Sequence, residues 1–293
     1  ILDALREVNV DLVLLTRNPD RFIREFPYVD ARPELSFVQG DIRDFRFPDG
    51  PFDYVIHAAT PTNWDEVDGD DGKMYAVIVE GTEHVLSFAK HSGAGKFLYI
   101  SSGAVYGVQP TSIDRLSETY QCNPAYGGYG KGKLMAENLC LQSGLPVSIA
   151  RCFTFIGPYF PLDGHFAVGN FISSCLGNKT IEIKGDGTPL RSYMYSDDLA
   201  RWLLTILLFG KAAEIYNVGS DEAISIEELA RLVRDIAGSQ NDIVIRQKAD
   251  EMARPARLIP SVDKASKDLG LKVDIGIEDA LIRTVRHYQG SLK

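Results

Sequence analysis

The sequence predicts an α/β fold: a parallel sheet covered by helices on both faces, followed by a smaller second domain. Three observations carry this expectation. Short β-branched runs alternate with helical patterns; those runs are apolar almost throughout, as strands buried on both faces must be; and the alternation breaks after Pro158, where Gly and Pro cluster. With 293 residues the chain can bury a substantial core, so one large or two interlocked domains are expected. A hydrophobic content of 45% and a charged content of 24% are ordinary for a soluble globular protein.

In chain order, residues 1–8 (ILDALREV) read as the latter part of a helix. Residues 10–15, 35–38, 54–58, 97–100 and 147–150 read as strands. Between them, Met74, Val77, Val85 and Phe88 recur at helical spacing over residues 73–90, and residues 129–141 repeat the pattern. After Pro158, the strings GPYFPLDG and KGDGTPL mark loops around a short strand at 181–183. The longest apolar run, 202–209, is far below the roughly 20 residues needed to cross a bilayer and reads as a buried helix, so no membrane partner is expected. Ser225 and Glu228 form an S-x-x-E capping box for a helix that runs through Leu229, Leu232 and Val233 to a stop at Gly238. Residues 277–288 read as the last helix, and no internal repeat is apparent.

Charge and side-chain chemistry narrow the class. The net charge of −9 argues against a nucleic-acid partner, which would call for clustered Lys and Arg. Cys122, Cys140, Cys152 and Cys175 include no C-x-x-C pair and are too sparse for a disulfide framework, which suits a reduced cytoplasm. The histidines His57, His84, His91, His165 and His287 have no second ligand at helical or hairpin spacing, so no metal is expected.

The segment from Tyr99 to Glu137 carries the chemistry. Ser102 lies directly behind the apolar run 97–100, in SSGAVYG. Tyr129 and Lys133 lie in YGKGKLMAEN, where a spacing of four puts both on one helix face. A phenol with a pKa near 10 is a poor base at neutral pH, and a neighbouring ammonium favours its ionised form. These three side chains suffice for proton transfer beside a hydride donor.

Ten strings in register then carry a family resemblance: GDIRD at 40–44, VIHAA at 55–59, EGT at 80–82, SSGAVYG at 101–107, YGKGK at 129–133, RCFTFIGP at 151–158, GNFI at 169–172, RSYMYSDD at 191–198, YNVGS at 216–220 and RPAR at 254–257. The chain resembles the extended short-chain dehydrogenases/reductases, in the NAD(P)-dependent nucleotide-sugar epimerase and dehydratase family. The resemblance implies a Rossmann-like doubly wound parallel sheet. It assigns 1–156 and 191–219 to a dinucleotide-binding domain, and 157–190 and 220–293 to a nucleotide-sugar substrate domain. It also implies a homodimer, in which the helices at 73–90 and 129–141 pair with their copies.

A fold of this kind normally opens with a strand and a Gly-rich turn that holds the diphosphate. No G-x-x-G-x-x-G occurs in a suitable place, so the first strand and Gly-rich loop are absent from this sequence. That strand would lie at the centre of the sheet, and losing several buried side chains at roughly 1.5–3 kcal/mol each would exceed a typical folding free energy. The expectation is that the sequence belongs to a longer polypeptide. At the end of the second strand of the fold, an acidic residue selects NAD and a basic one favours the 2′-phosphate of NADP. Thr16 and Arg17 stand there, which favours NADP as cofactor, with NAD possible. By resemblance, Asp41 and Ile42 contact adenine, while Ala58, Ala59 and Thr60 form the loop beneath the phosphates and ribose. An ordinary turn and tight strand packing are the plain alternatives for these two sets.

The resemblance implies that Tyr129 exchanges a proton with a sugar hydroxyl or ketone, that Lys133 holds the nicotinamide ribose, and that Ser102, rather than Ser101, bonds the same sugar oxygen. Gly103 and Ala104 stand where the 4,6-dehydratases of the family carry Asp and Glu, and neither side chain can move a proton, which argues against loss of water. Thr154 and Ile78 replace frequent asparagines. Asn170, Arg191 and Arg254, with Arg257 as a fallback, match sites for the sugar diphosphate and base. Arg191 could instead pair with Asp197 or Asp198, and Arg254 could be a plain surface residue. His165 is a candidate auxiliary proton donor, or simply a polar loop residue. The expected function is NAD(P)-dependent reduction of a 4-keto nucleotide-linked sugar. The rivals are a nucleotide-sugar 4-epimerase and a noncatalytic dinucleotide-binding regulatory protein.

Overall fold

The alternation read from the sequence is realised as alternating strands and helices through the first half of the chain. The computed structural model describes residues 1–29, 32–61, 64–124, 127–162, 164, 166–250 and 252–291. Its elements begin with β1 (Leu12–Thr16), α1 (Pro19–Glu25), β2 (Leu35–Gln39), β3 (Tyr54–His57), α2 (Asp71–His91), β4 (Lys96–Ser102), α3 (Gly128–Gln142) and β5 (Val147–Cys152). They continue with β6 (Phe155–Ile156), α4 (Ala167–Leu176), β7 (Ile181–Ile183), β8 (Leu190–Arg191), β9 (Met194–Tyr195), α5 (Ser196–Phe209) and β10 (Glu214–Val218). The last stretch holds β11 (Ile224–Ser225), α6 (Ile226–Ile236), β12 (Ile243–Ile245), β13 (Arg257–Leu258), α7 (Asp263–Leu269) and α8 (Ile277–Ser291).

One sheet has the order β10-β5-β4-β3, and β1 with β2 forms a separate two-stranded sheet. β1 and β2 are parallel, with Leu12 opposite Leu35 and Thr16 opposite Gln39. β3 and β4 are parallel as well, with Tyr54 opposite Lys96 and His57 opposite Tyr99. Every residue of β5 is buried, which is why its sequence shows no polar alternation.

The chain divides into two compact units. The first comprises Ile1–Ser101, Tyr126–Ala150 and Leu203–Ile215. Its core joins Met74, Val85 and Phe88 of α2 and Ala136 and Cys140 of α3 to Phe97 and Tyr99 of β4 and Ile149 of β5. Met74, Val85 and Phe88 of the expected α2 stripe make this contact, whereas Val77 stays half-buried outside it and, on α3, Met135 and Leu141 are exposed. The second unit comprises Ser102–Ala125, Arg151–Trp202 and Tyr216–Lys293. Its core packs Val168, Phe171 and Ile172 of α4 with Ile181 and Ile183 of β7, Leu229 and Val233 of α6, and Leu281 and Val285 of α8. The expected capping box is present: the Ser225 hydroxyl accepts from Glu228 N at 3.1 Å, and the Glu228 carboxylate accepts from Ser225 N at 3.0 Å.

Two expectations are corrected. The helix expected over 1–8 is only a single 3-10 turn at Asp3–Leu5. The Leu2 and Leu5 carbonyls accept from Leu5 N and Val8 N at 3.2 Å, bonds of 3-10 spacing, and also accept from the Arg32 guanidinium at 2.8 and 3.0 Å. The apolar run 202–209 is not wholly buried. Trp202, Leu203, Ile206 and Leu207 face the interior, but Leu208 and Phe209 are exposed, because one face of a helix cannot hold eight consecutive residues.

Candidate active site

The first unit builds its cleft where parallel strands end. Beyond the C-terminal ends of β1, β2 and β3 lie Thr16 and Arg17, Gly40 to Ile42, and Ala58 to Thr60, and most of these residues line a cleft of about 250 Å³. Open α/β sheets place ligand sites at this end of their strands. Leu15, Ile42 and Val77 make the cleft partly apolar, while Thr16, Arg17, Asp41, Thr60 and Glu66 give it polar groups. An apolar surface with hydroxyl, guanidinium and carboxylate groups around it fits a nucleoside.

The charged residues that line the cleft are paired. Arg17 Nη2 meets Glu66 Oε2 at 2.8 Å, and Asp41 Oδ1 meets Nε of Arg43, beside the cleft, at 2.8 Å. The bond from Arg43 holds the Asp41 carboxyl below its usual range, with a smaller contribution from the charge of Arg17.

Lys133 sits at 3% exposure on α3, and its ammonium donates to Thr60 Oγ1 and to the Ile100 carbonyl, both at 2.7 Å. Those bonds bring the α3 lysine to the loop after β3 and to the backbone of β4. Its Nζ lies 5.0 Å from the Tyr99 ring centroid and 5.9 Å from that of Tyr129. Helical spacing therefore does what the sequence implied: it sets the phenol and the ammonium side by side on one helix.

The helix that carries them is fixed by close contact. Gly128 N donates to Asp71 Oδ1 at 2.6 Å, and a Cβ at Gly128 would lie 1.8 Å from the Asp71 carbonyl oxygen. One turn on, a Cβ at Gly132 would come within 3.2 Å of the Ile78 side chain. Only glycine lets α2 and α3 approach this closely at Gly128.

Other polar groups are buried beneath the pair. The Ser101 hydroxyl donates to the Glu137 carboxylate, with both residues almost fully buried. His57 Nε2 lies 3.0 Å from Thr82 Oγ1, whose own proton goes to the Ile78 carbonyl at 2.7 Å. The hydroxyl must therefore accept from His57, which fixes the proton on Nε2 and leaves Nδ1 as a buried lone pair with no hydrogen-bond partner. Burial, reinforced by the charge of Lys133, lowers the pKa of His57 to about 3.

The remaining expected residues belong to the second unit. Ser102 Oγ accepts from Ala104 N at 3.1 Å and caps the short turn Gly103–Tyr106. Asn170 is exposed on α4. Arg191 is half-buried on β8, where its Nη1 donates to the Leu190 carbonyl at 2.8 Å. It does not pair with Asp198, which instead binds Arg201 at 2.6 Å and accepts from the Asp274 and Ile275 amides. Arg254 is exposed, whereas Arg257 pairs with Asp114 at 2.6 Å. His165 lies outside the described residues. No sequence signal pointed to Glu66, since it meets Arg17 across 49 positions. Nor did spacing alone tie Thr60 to Lys133.

No helix among the described residues is long and apolar enough to cross a membrane. Comparison with known proteins gives a consistent result. Residues 1–219 match the sequence profile described as the NAD dependent epimerase/dehydratase family. UDP-glucuronic acid decarboxylase 1 of Xenopus tropicalis is 28% identical over 248 residues, a match spanning 82% of this chain and 58% of that protein. Among solved structures, DesIV of Streptomyces venezuelae, a dTDP-glucose 4,6-dehydratase with NAD bound, has 26% identity and a TM-score of 0.81, covering 98% of this chain and 90% of that one. RMD of Pseudomonas aeruginosa, complexed with NADPH, has 25% identity and a TM-score of 0.76, covering 96% and 100%.

Proposed function

Because this chain belongs to the NAD-dependent epimerase/dehydratase family, we propose that it is an NADP-dependent oxidoreductase that reduces a 4-keto group on a nucleotide-linked sugar. The single observation that carries the reading is the buried Lys133 ammonium, pinned by Thr60 and Ile100 beside the Tyr129 ring. When bound, the nicotinamide supplies the hydride. Tyr129 gives its phenolic proton to the sugar oxygen as negative charge develops there, and Lys133 stabilises the phenolate left behind. Thr60 and Ile100 hold the ammonium in place, and Lys133 is assigned the cofactor's ribose. Ser102 bonds the same sugar oxygen.

Gly103 and Ala104 offer no proton donor for elimination, which separates this reading from the dehydratases among the relatives. Arg17 supports NADP, and the NADPH bound by RMD is in keeping with that choice. We assign the dinucleotide to residues 1–156 and 191–219. The nucleotide sugar goes to residues 157–190 and 220–293, with Asn170, Arg191 and Arg254 as its anchors and His165 as an auxiliary donor. Assembly as a homodimer through α2 and α3 belongs to the same proposal.

The Arg17–Glu66 pair favours a second reading, a 4-epimerase using NAD, because a carboxylate on that arginine opposes a 2′-phosphate. Incubation with NADPH and a dTDP- or CDP-linked 4-keto sugar separates the two. Loss of the reduced-nicotinamide absorbance in step with alcohol formation is the expected result, and sugar interconversion without net NADPH loss would assign the epimerase. Tyr129→Phe should cut turnover by about 10²–10⁴-fold while ligand binding persists. Unchanged turnover would remove Tyr129 from the chemistry.

A further inference from the structure

The cleft of the first unit is lined by one cation, Arg17, and two carboxylates, Asp41 and Glu66; Arg17 pairs with Glu66, and Asp41 pairs with Arg43 beside the cleft. Formally these charges cancel, so an incoming 2′-phosphate meets no net attraction unless one carboxylate gives way. The two carboxylates are not equally held. Asp41 accepts two bonds from Arg43, at Nε (2.8 Å) and at the backbone amide (3.1 Å), and the side-chain bond pulls its titration down. Among the described residues Glu66 has one hydrogen-bond partner, Arg17, and it lies on the short 3-10 turn Trp64–Val67 with its side chain 35% exposed. An exposed ion pair of this sort is weak and readily exchanged. A phosphate is the stronger partner for a guanidinium, since it offers forked, doubly charged acceptors.

We infer that Glu66 is a cofactor-specificity residue: its carboxylate competes with the 2′-phosphate of NADP for the Arg17 guanidinium and so sets how strongly the protein prefers NADP over NAD. The inference rests on reading this cleft as the adenosine site. Glu66 touches none of the reacting atoms. It acts by lowering the affinity for the phosphorylated ribose, and it leaves binding of an unphosphorylated ribose nearly unchanged.

The test isolates the 2′-phosphate by calorimetric titration of the protein with adenosine 2′,5′-bisphosphate and with 5′-AMP. Glu66→Gln keeps the shape and removes the charge. It should tighten bisphosphate binding by about fivefold, with 5′-AMP altered by less than about twofold. Glu66→Asp, which keeps the charge, should stay near the wild-type ratio. In an Arg17→Gln background the gain from Glu66→Gln should fall below about twofold, because nothing is left to compete for. An unchanged ratio in Glu66→Gln, equal shifts for both ligands, or a full gain without Arg17 would each overturn the inference while leaving the cleft reading intact. If the wild-type protein binds neither nucleotide, the adenosine reading of the cleft fails, and this inference with it.

Discussion

The two units bury polar groups to different ends. In the first, the buried groups under α3 are ionisable: Lys133, Glu137 and His57, tied to Thr60, Ser101 and Thr82. In the second, beside buried Arg151 and Asp198, three neutral amides staple irregular backbone. Asn217 donates to the Leu116 and Ser261 carbonyls at 2.8 and 3.1 Å and accepts from Tyr106 Oη at 2.7 Å. Gln109 donates to the Ile113 and Asp114 carbonyls and accepts from Ile259 N. Asn241 donates to the Ser174 and Lys179 carbonyls. Long helices and strands satisfy their own backbones, so the first unit is free to spend polar side chains on the ionisable cluster under α3. Strands of two or three residues cannot do this, and the second unit spends them on architecture.

The contrast makes measurable claims. Asn217→Ala removes the partner of a buried hydroxyl and of the Ser261 carbonyl, while the Leu116 carbonyl keeps Ser261 N, so it should destabilise the protein by about 3–4 kcal/mol in denaturant unfolding. That loss should be flat with pH, because the Glu118 carboxylate bonds the Asn217 backbone amide, which the substitution keeps, and a loss that varied with pH would break the contrast.

A smaller and pH-dependent effect is expected in the first unit. His57 is neutral when folded, with a pKa lowered to about 3, and titrates near 6.5 when unfolded. Below pH 6.5 the unfolded chain takes up a proton that the folded one refuses. The stability contributed by neutral His57 is thus whole above that pH and drains away as pH falls toward 3. Between pH 8 and pH 5 the loss should be about 2 kcal/mol, and His57→Asn should abolish this component. An identical pH profile in the variant would break the distinction between the two units.

The smallest change tests a position outside both networks. Ser225→Ala removes the N-cap of α6 and should cost about 1 kcal/mol, with no change in nucleotide binding.

What could be read from the sequence follows the same division. α2, α3 and the strands of the first unit announced themselves through period and apolar content, and the α6 cap through Ser225 and Glu228, because each of these signals is local. The two-residue strands β6, β8, β9, β11 and β13 are shorter than any period, and they exist through pairings such as Arg257 with Leu190 that link distant parts of the chain. Within the site, Tyr129 and Lys133 were legible because a helix turns their spacing into proximity. The partners that set their surroundings, Thr60 on Lys133 and Glu66 on Arg17, lie 73 and 49 positions away and leave no local mark. At residues 1–8 a long-range partner is present too, Arg32, whose guanidinium shares two carbonyls with amides of 3-10 spacing.

The missing side chain at Gly128 has a consequence for how this protein can change. Tyr129 follows directly on a backbone contact with Asp71 that leaves no room for even a methyl group, so the mount for the phenol has almost no latitude. A shift of about 1 Å at such a mount can cost about a hundredfold in rate without touching a reacting atom. Divergence toward new substrates must therefore be drawn from the loops, because the seat of α3 on α2 admits no adjustment.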